Sequence, residues 1–518
     1  MVLITIIFVF LFSFLLFIFF KNNKSIGSDH FFHFKLSNEI RENNGKLITH
    51  FKHLVISTPI YYPQLYHKLL SLFSKKFVTE KGHLLNYFFN SLLIILITSS
   101  IYIFRKEFDF TNVNLYKTVF IFVTTPFFYV FWNAKNMGLS GRSFGLFLGH
   151  LYLLSLLYFI HTNNYYILIL LTIISCIAWF GSNFAFQAIL FISVLFSFFY
   201  LNKSFYILSP IVIGFLIWFI LNPKVAKIYY LELFRLKIMF YKHLIFTMSL
   251  NNRPSIWGDF ISGFYKKYKT DSKKNLLIYT YTNSIISALL GFPIVFILMY
   301  YVITNFNTLD SFQKILTSLF LSGFFVFILT TFRKTRFLGE PERYLEFILP
   351  ACVLLSLTLK NINLNIVIIL NTILLLLNYY IITNKKDSTT NETKNNINAF
   401  INKINIENQN QEIKILSNNE TISRYLMEYE NIKLFFAYIS KPETLGISFN
   451  NIYQKHGDEY KPEALATFYK HTNFDYLIIK SNNLESYITE FKNASAINFE
   501  KLMIIEEFPN IIIYRINQ

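Results

Sequence analysis

Asp29, His30 and His33 stand together in the run Gly27-Ser28-Asp29-His30-Phe31-Phe32-His33-Phe34, directly after an apolar segment. A carboxylate at the edge of a bilayer is costly unless it has a partner or a task. Two roles suit Asp29. One is general base, activating a hydroxyl or amine acceptor at a membrane surface. The other is N-cap of a helix beginning near Phe31. The neighbouring imidazoles of His30 and His33 either assist the same chemistry or are satisfied interfacial polar groups.

A second charged run, Arg333 to Glu346, sits at the entry to an apolar span and holds Glu340, Glu342, Arg343 and Glu346. The planar fork of Arg343 matches a phosphate. The alternative is a basic flank balanced by acids. Lys224, Lys227, Arg235 and Lys242 follow one another at steps of three, eight and seven among tyrosines and phenylalanines. That spacing predicts an interfacial amphipathic helix that receives an anionic lipid head or merely snorkels its lysines. Arg253, before Pro254, lies in the same loop. Arg142 closes a short glycine-bearing loop, Asn133 to Arg142. Tyr62, Tyr66 and His67 belong to Ser57 to His67, an extended turn with two prolines that leads into a short helix.

These residues need a membrane scaffold. Of 518 residues, 53% are hydrophobic, 19% aromatic and only 15% charged, against about 25% charged in a soluble domain. The apolar residues come in blocks. Spans are predicted near residues 2–20, 84–104, 118–132, 144–160, 165–179, 184–200, 205–221, 276–303, 315–332, 347–359 and 366–382, about eleven by the roughly 20-residue rule. The first lacks a charged leading region and a small-residue cleavage site, so it reads as a retained anchor. The expected fold is therefore an α-helical polytopic membrane domain over residues 1–383, with long loops at 21–83 and 222–274. A polar linker at 384–398 precedes a small α/β domain at 399–518, where strand-like runs fall at Glu412–Leu416, Lys433–Tyr438, Phe474–Ile479, Leu502–Glu506 and Asn510–Tyr514.

The net charge of +18 points to lipid headgroups or lipid phosphates, since the cations flank apolar segments and no nucleic-acid-binding motif is present. With the N-terminus cytoplasmic, eleven spans put both long loops, the Arg333–Glu346 run and the C-terminal domain on the extracytoplasmic side. The outer loops then hold more cations than the inner ones, against the positive-inside tendency. Cys176 and Cys352 lie in apolar stretches and read as buried small residues. No metal-spaced Cys/His cluster, nucleophile elbow or phosphate-binding loop occurs, so no metal ligands or cofactor motif are assigned and ATP-driven transport has no motif here.

Taken together, the chain resembles GT-C glycosyltransferases, in particular the bacterial relatives of protein mannosyltransferases and of the lipid A aminoarabinose transferase (glycosyltransferase family 39-like). The resemblance rests on four features in order. They are the acid of Ser28-Asp29-His30 after the first span, with its helix ending Glu42-Asn43-Asn44-Gly45, and Tyr62-Pro63-Gln64-Leu65-Tyr66-His67, similar to the family's Tyr-Pro-Pro-Leu-Tyr run. Gly141-Arg142-Ser143-Phe144-Gly145, opening a span, and Glu342-Arg343-Tyr344 with Leu349-Pro350 complete them. His30 stands where many relatives carry a second acid, and Gln64 replaces a proline.

The resemblance implies a transferase that moves a sugar from a polyprenyl-phosphate donor to a lipid, glycan or protein acceptor in the bacterial cell envelope. It implies Asp29 as base, with His30 beside it, and Arg343, Lys224, Lys227, Arg235 and Arg142 around the donor phosphate. Tyr62, Tyr66, His67 and Glu342 would position the acceptor or the loops. Two other classes remain open on the residues alone. A lipid-linked saccharide transporter or flippase would need ionisable residues along span centres, and these are scarce. A non-catalytic scaffold would tolerate substitution of Asp29, Arg142 and Arg343.

Overall fold

The computed structural model describes residues 29–108, 111–126, 139–239, 241, 265, 268, 283–359, 362–383, 388–407, 411–436, 445–447, 451–454, 459–481, 483–495, 502–508 and 510–516. The chain is mostly helical, with a small sheet near its C-terminus. It divides into two compact units that are discontinuous in sequence. The first holds Tyr62–Lys227 and Asn252–Asn384. The second holds Ser28–Tyr61, Ile228–Asn251 and Lys385–Gln518.

In the first unit, four helices are long and apolar enough to cross a membrane: His83–Ile103, Arg142–Thr162, Leu201–Leu221 and Ser311–Thr331. A fifth span is formed if Ser284–Gly291 and Pro293–Thr308 count as one element bent by 93°. The bend falls at Phe292-Pro293, where proline cannot supply the N–H that a continuous helix requires. Shorter apolar helices cover Val113–Thr124, Ile167–Gly181, Asn183–Phe199 and Leu364–Leu377. The structure thus supports a polytopic helical protein with four or five full-length spans among the described residues. The expected segment at residues 2–20 lies outside them. Ile169, Ile173, Phe205 and Ile220 are exposed on these helices, an outer surface suited to hydrocarbon and costly in water.

The Glu342–Thr358 helix is the buried centre of this unit, with Leu345, Ile348, Leu349, Val353 and Leu355 essentially inaccessible. Two glycines let its neighbours approach. A Cβ on Gly149 of the Arg142–Thr162 helix would lie 2.2 Å from the Phe347 ring, and one on Gly323 of the Ser311–Thr331 helix 2.1 Å from Ile348 Cγ2. Small residues at such contacts are how apolar helices pack closely without a water-driven force between them.

The second unit is an α/β fold. Strands β1 (His50–Phe51) and β2 (Thr58–Pro59) form a small antiparallel pair. Strands β3 (Ile413–Ser417), β4 (Ile432–Leu434), β5 (Tyr476–Lys480), β6 (Leu502–Phe508) and β7 (Ile511–Ile516) form a sheet of order β4-β3-β5-β7-β6. Its β4, β3 and β5 run parallel, and β7 and β6 close the other side antiparallel. All five strands overlap the strand-like runs read from the sequence. Helices Glu420–Leu426, Pro462–His471 and Leu484–Ser495 supply the crossovers. The core is built from Leu416, Phe435, Phe468, Phe474, Leu477, Ile479, Phe491 and Ile512, joined by Met239.

The loop after the first predicted span belongs to this unit. Helix Asp29–Glu42 ends on Asn44 and Gly45, with φ of 56° and 71°. The Gly45 N–H donates to the Ile40 carbonyl at 2.9 Å, the closing bond of a left-handed C-cap. The chain then reaches β4 and extends the sheet. The Leu434 N–H donates to the His53 carbonyl at 3.0 Å, and the Val55 N–H to the Leu434 carbonyl at 2.9 Å.

Candidate functional site

The residues of the Arg142 and Arg343 motifs converge in the first unit. Arg142 is the first residue of its helix and Glu346 lies in the first turns of the Glu342–Thr358 helix. Their side chains, 204 residues apart in sequence, form an ion pair with 6% and 2% exposure. Arg343 and Glu340 also act electrostatically on this pair. A charge pair so far from water holds only with close geometry and added hydrogen bonds. His150 holds the backbone beside the pair, its Nε2–H donating to the Glu346 main-chain carbonyl at 2.7 Å.

Arg343 is held differently. Its Nε donates to Glu340 Oε2 at 2.7 Å, and its guanidinium carbon lies 3.6 Å from the centroid of the Phe184 ring. One face is thus stacked and one edge bound, which fixes the plane of the fork. Gly339, with φ of 141°, takes the chain from the 3₁₀ turn Arg333–Leu338 into the helix. The Tyr344 hydroxyl donates back to the Leu338 carbonyl at 2.9 Å and pins that turn. Glu342 is buried at 3% exposure on the first helical residue, where the helix dipole favours a carboxylate.

The Tyr62-to-His67 motif is fixed in the same unit. The expected short helix runs Leu65–Ser71. His67 is inaccessible, its Nδ1–H donating to the Pro63 carbonyl at 3.1 Å. Its ring lies edge-on to Tyr62 and Tyr66, at 5.4 and 5.7 Å. Tyr66 donates to Asn86 Oδ1 at 3.3 Å and stacks on Phe144, two residues beyond Arg142. A Cβ on Gly141 would meet the Tyr66 ring at 3.5 Å. Tyr66 therefore packs beside the start of the Arg142 helix.

The expected interfacial helix is Pro223–Met239. Lys224 and Lys227 are exposed, and the same exposed stripe continues as Leu231, Phe234 and Ile238. Arg235 instead turns to Glu232, its Nε donating to Oε2 at 2.7 Å. Lys242, His243 and Arg253 lie outside the described residues.

Asp29 opens the Asp29–Glu42 helix, two residues earlier than expected, so it occupies the first helical position. A carboxylate there is favoured by the helix dipole. The Asp29 side chain lies outside the described residues. His30 and His33 are both buried at 5% exposure, with His30 edge-on to Phe31 at 5.3 Å. Among the described residues, no three His, Cys, Asp or Glu side chains group as metal ligands.

Glu346, Glu340, His150 and Phe184 complete the arginine cluster. The two glutamates were visible as part of a dense charged run. His150 and Phe184 sit in apolar segments with no local signal. No protein-family model and no curated protein matches the chain.

Proposed function

We propose that the protein is a membrane glycosyltransferase, moving a sugar from a polyprenyl-phosphate donor to an acceptor at the extracytoplasmic face. The observation that carries this reading is the convergence of Arg142 and Arg343 with Glu340 and Glu346 at the starts of two helices. Arg343 is the phosphate contact. Phe184 and Glu340 orient its guanidinium, so little side-chain freedom is lost when an anion binds. Arg142 is a positioning residue, tying its helix to the Glu342–Thr358 helix through Glu346.

The chemistry asks little more of a protein. The donor keeps its tail in lipid. A cation at the phosphate stabilises the charge that develops as the sugar–oxygen bond breaks. A carboxylate takes the proton of the acceptor, and holding both reactants together supplies much of the rest. Asp29 is assigned that base by its place after the first predicted span. Lys224 and Lys227, on a stripe continued by Leu231 and Phe234, suit a lipid-headgroup surface.

The test is transfer from a radiolabelled polyprenyl-phosphate sugar by membranes carrying wild type, Asp29→Asn or Arg343→Lys. Wild type is expected to transfer label. Asp29→Asn should lose about 10²-fold or more in rate, the usual worth of a general base. Arg343→Lys should retain insertion and weaken donor use, because an ammonium lacks the stacked fork. Wild type that transfers no label from any polyprenyl-phosphate sugar would overturn the reading.

A further inference from the structure

The second unit contains a cavity of about 600 Å³ that the glycosyl-transfer reading does not use. It lies between helix Asp29–Glu42, the segment from β1 to β2, and the β4 edge of the sheet. At its wall, Glu39 and His53 form a pair with 3% and 2% side-chain exposure. Glu39 also accepts the His53 backbone N–H at 2.9 Å and the Lys52 N–H at 3.2 Å. Burial by itself would raise the Glu39 pKa; the hydrogen bond from the His53 ring, with both backbone donors, acts against it, and the carboxyl stays below its ordinary value.

This arrangement fixes a tautomer. His53 Nδ1–H points at a carboxylate, which leaves a lone pair on Nε2 in the neutral ring. Nε2 makes no hydrogen bond among the described residues, and His53 lines the cavity. One turn from Lys35, Asn38 also lines it at 2% exposure. Its Oδ1 accepts from Arg41, and its Nδ2 has no partner among the described residues. A buried amide N–H without a partner costs about 1–3 kcal/mol.

Two of the three lining ammonium groups are already engaged. Lys35 Nζ donates to the carbonyls of Tyr429 and Glu430 at 3.0 and 3.1 Å, and Lys433 pairs with Glu412 at 2.9 Å. Lining carboxylates outnumber lining ammonium groups, which disfavours an anion. Asn38 and His53 offer a ligand one neutral donor and one neutral acceptor, beside the apolar surfaces of Phe51, Leu54 and Val55. A hydroxyl answers both at once, accepting from Asn38 and donating to His53. A pyranose presents such hydroxyls together with a C–H face, and the volume falls in the usual range of small-molecule sites, about 300–1,000 Å³.

We propose that this cavity is a saccharide-binding site, with Asn38 Nδ2 and His53 Nε2 gripping a sugar hydroxyl and Glu39 positioning His53. The proposal stands on this unit alone and does not require glycosyl transfer.

Saturation-transfer NMR on the full chain in nanodiscs tests it, with glucose, N-acetylglucosamine and cellobiose as probes and inorganic phosphate as the counter-probe. At least one sugar is expected to receive saturation and phosphate not to compete. Asn38→Leu and His53→Phe should each weaken binding about tenfold, the scale of one or two lost hydrogen bonds. Ser57→Trp, at an exposed position on the rim, should block entry while leaving the circular dichroism spectrum unchanged, and it decides the matter if the buried variants unfold. No transfer to any of the three sugars, competition by phosphate, or unaltered binding in Ser57→Trp would overturn the proposal.

Discussion

Each of the two units buries an acid–base pair, and the pairs are built for different ends. Arg142 and Glu346 join two apolar helices, and the carbonyl of Glu346 is itself held by His150. Glu39 and His53 close a short chain segment between a helix and a sheet edge. In the first pair a guanidinium meets a carboxylate, so their burial among apolar helices is sustained by their mutual attraction. In the second, one member is an imidazole on a cavity-lining residue, so the pair can be neutral on one side and still leave a ring nitrogen for a ligand. The comparison teaches that burial alone does not distinguish a structural pair from a binding one. The group left facing a cavity does.

Substitutions grade the comparison. The largest effect is expected from Arg142→Ala, which leaves the Glu346 carboxylate buried without its main partner. A loss of about 3–5 kcal/mol should appear as a large drop in unfolding temperature in detergent, and the double replacement Arg142→Met with Glu346→Leu should recover most of it. Recovery would mark the pair as a positioning device; a double variant as unstable as the single one would mean the helices depend on the ions themselves.

Glu39→Gln is expected to cost about 1.5–3 kcal/mol, the scale of hydrogen bonds to a charged group. Its pH dependence has a definite sign. The folded pKa of Glu39 lies below the ordinary 4.5, so the carboxylate stabilises the fold fully above that value. The contribution is lost as pH falls through the lower folded pKa. The stability gap between wild type and Glu39→Gln should therefore be constant near neutrality and close in acid below about pH 4, measured by denaturant unfolding across pH. A gap that widens in acid would show that Glu39 is not the stabilised carboxylate.

The smallest effect belongs to the solvent-facing control. Lys433 and Glu412 pair at 2.9 Å with 33% and 50% exposure, and Lys433→Ala should cost no more than about 1 kcal/mol, falling further in high salt. A larger, salt-insensitive loss would place that pair with the buried ones.

Local pattern determined a good deal of this protein. Long apolar blocks marked helices because backbone groups in hydrocarbon must bond within their own segment, but among the described residues only four or five of about eleven expected spans reach membrane length. Short runs rich in Ile, Leu, Phe and Tyr marked β3 to β7 because such side chains fit a pleated, buried sheet. Gly45 stopped the Asp29–Glu42 helix, and the charged run at Glu340–Glu346 announced the arginine cluster. What spacing could not supply is partnership across the chain. Nothing in the sequence around Glu39 pointed to His53, because the turn at Gly45 and the pairing with β4 bring them together. Nothing near Arg142 named Glu346, 204 residues on, because that meeting depends on helices packing at Gly149 and Gly323. Element type follows from short-range sterics and burial period. Which buried group meets which, and which is left facing a cavity, is decided only when the elements pack.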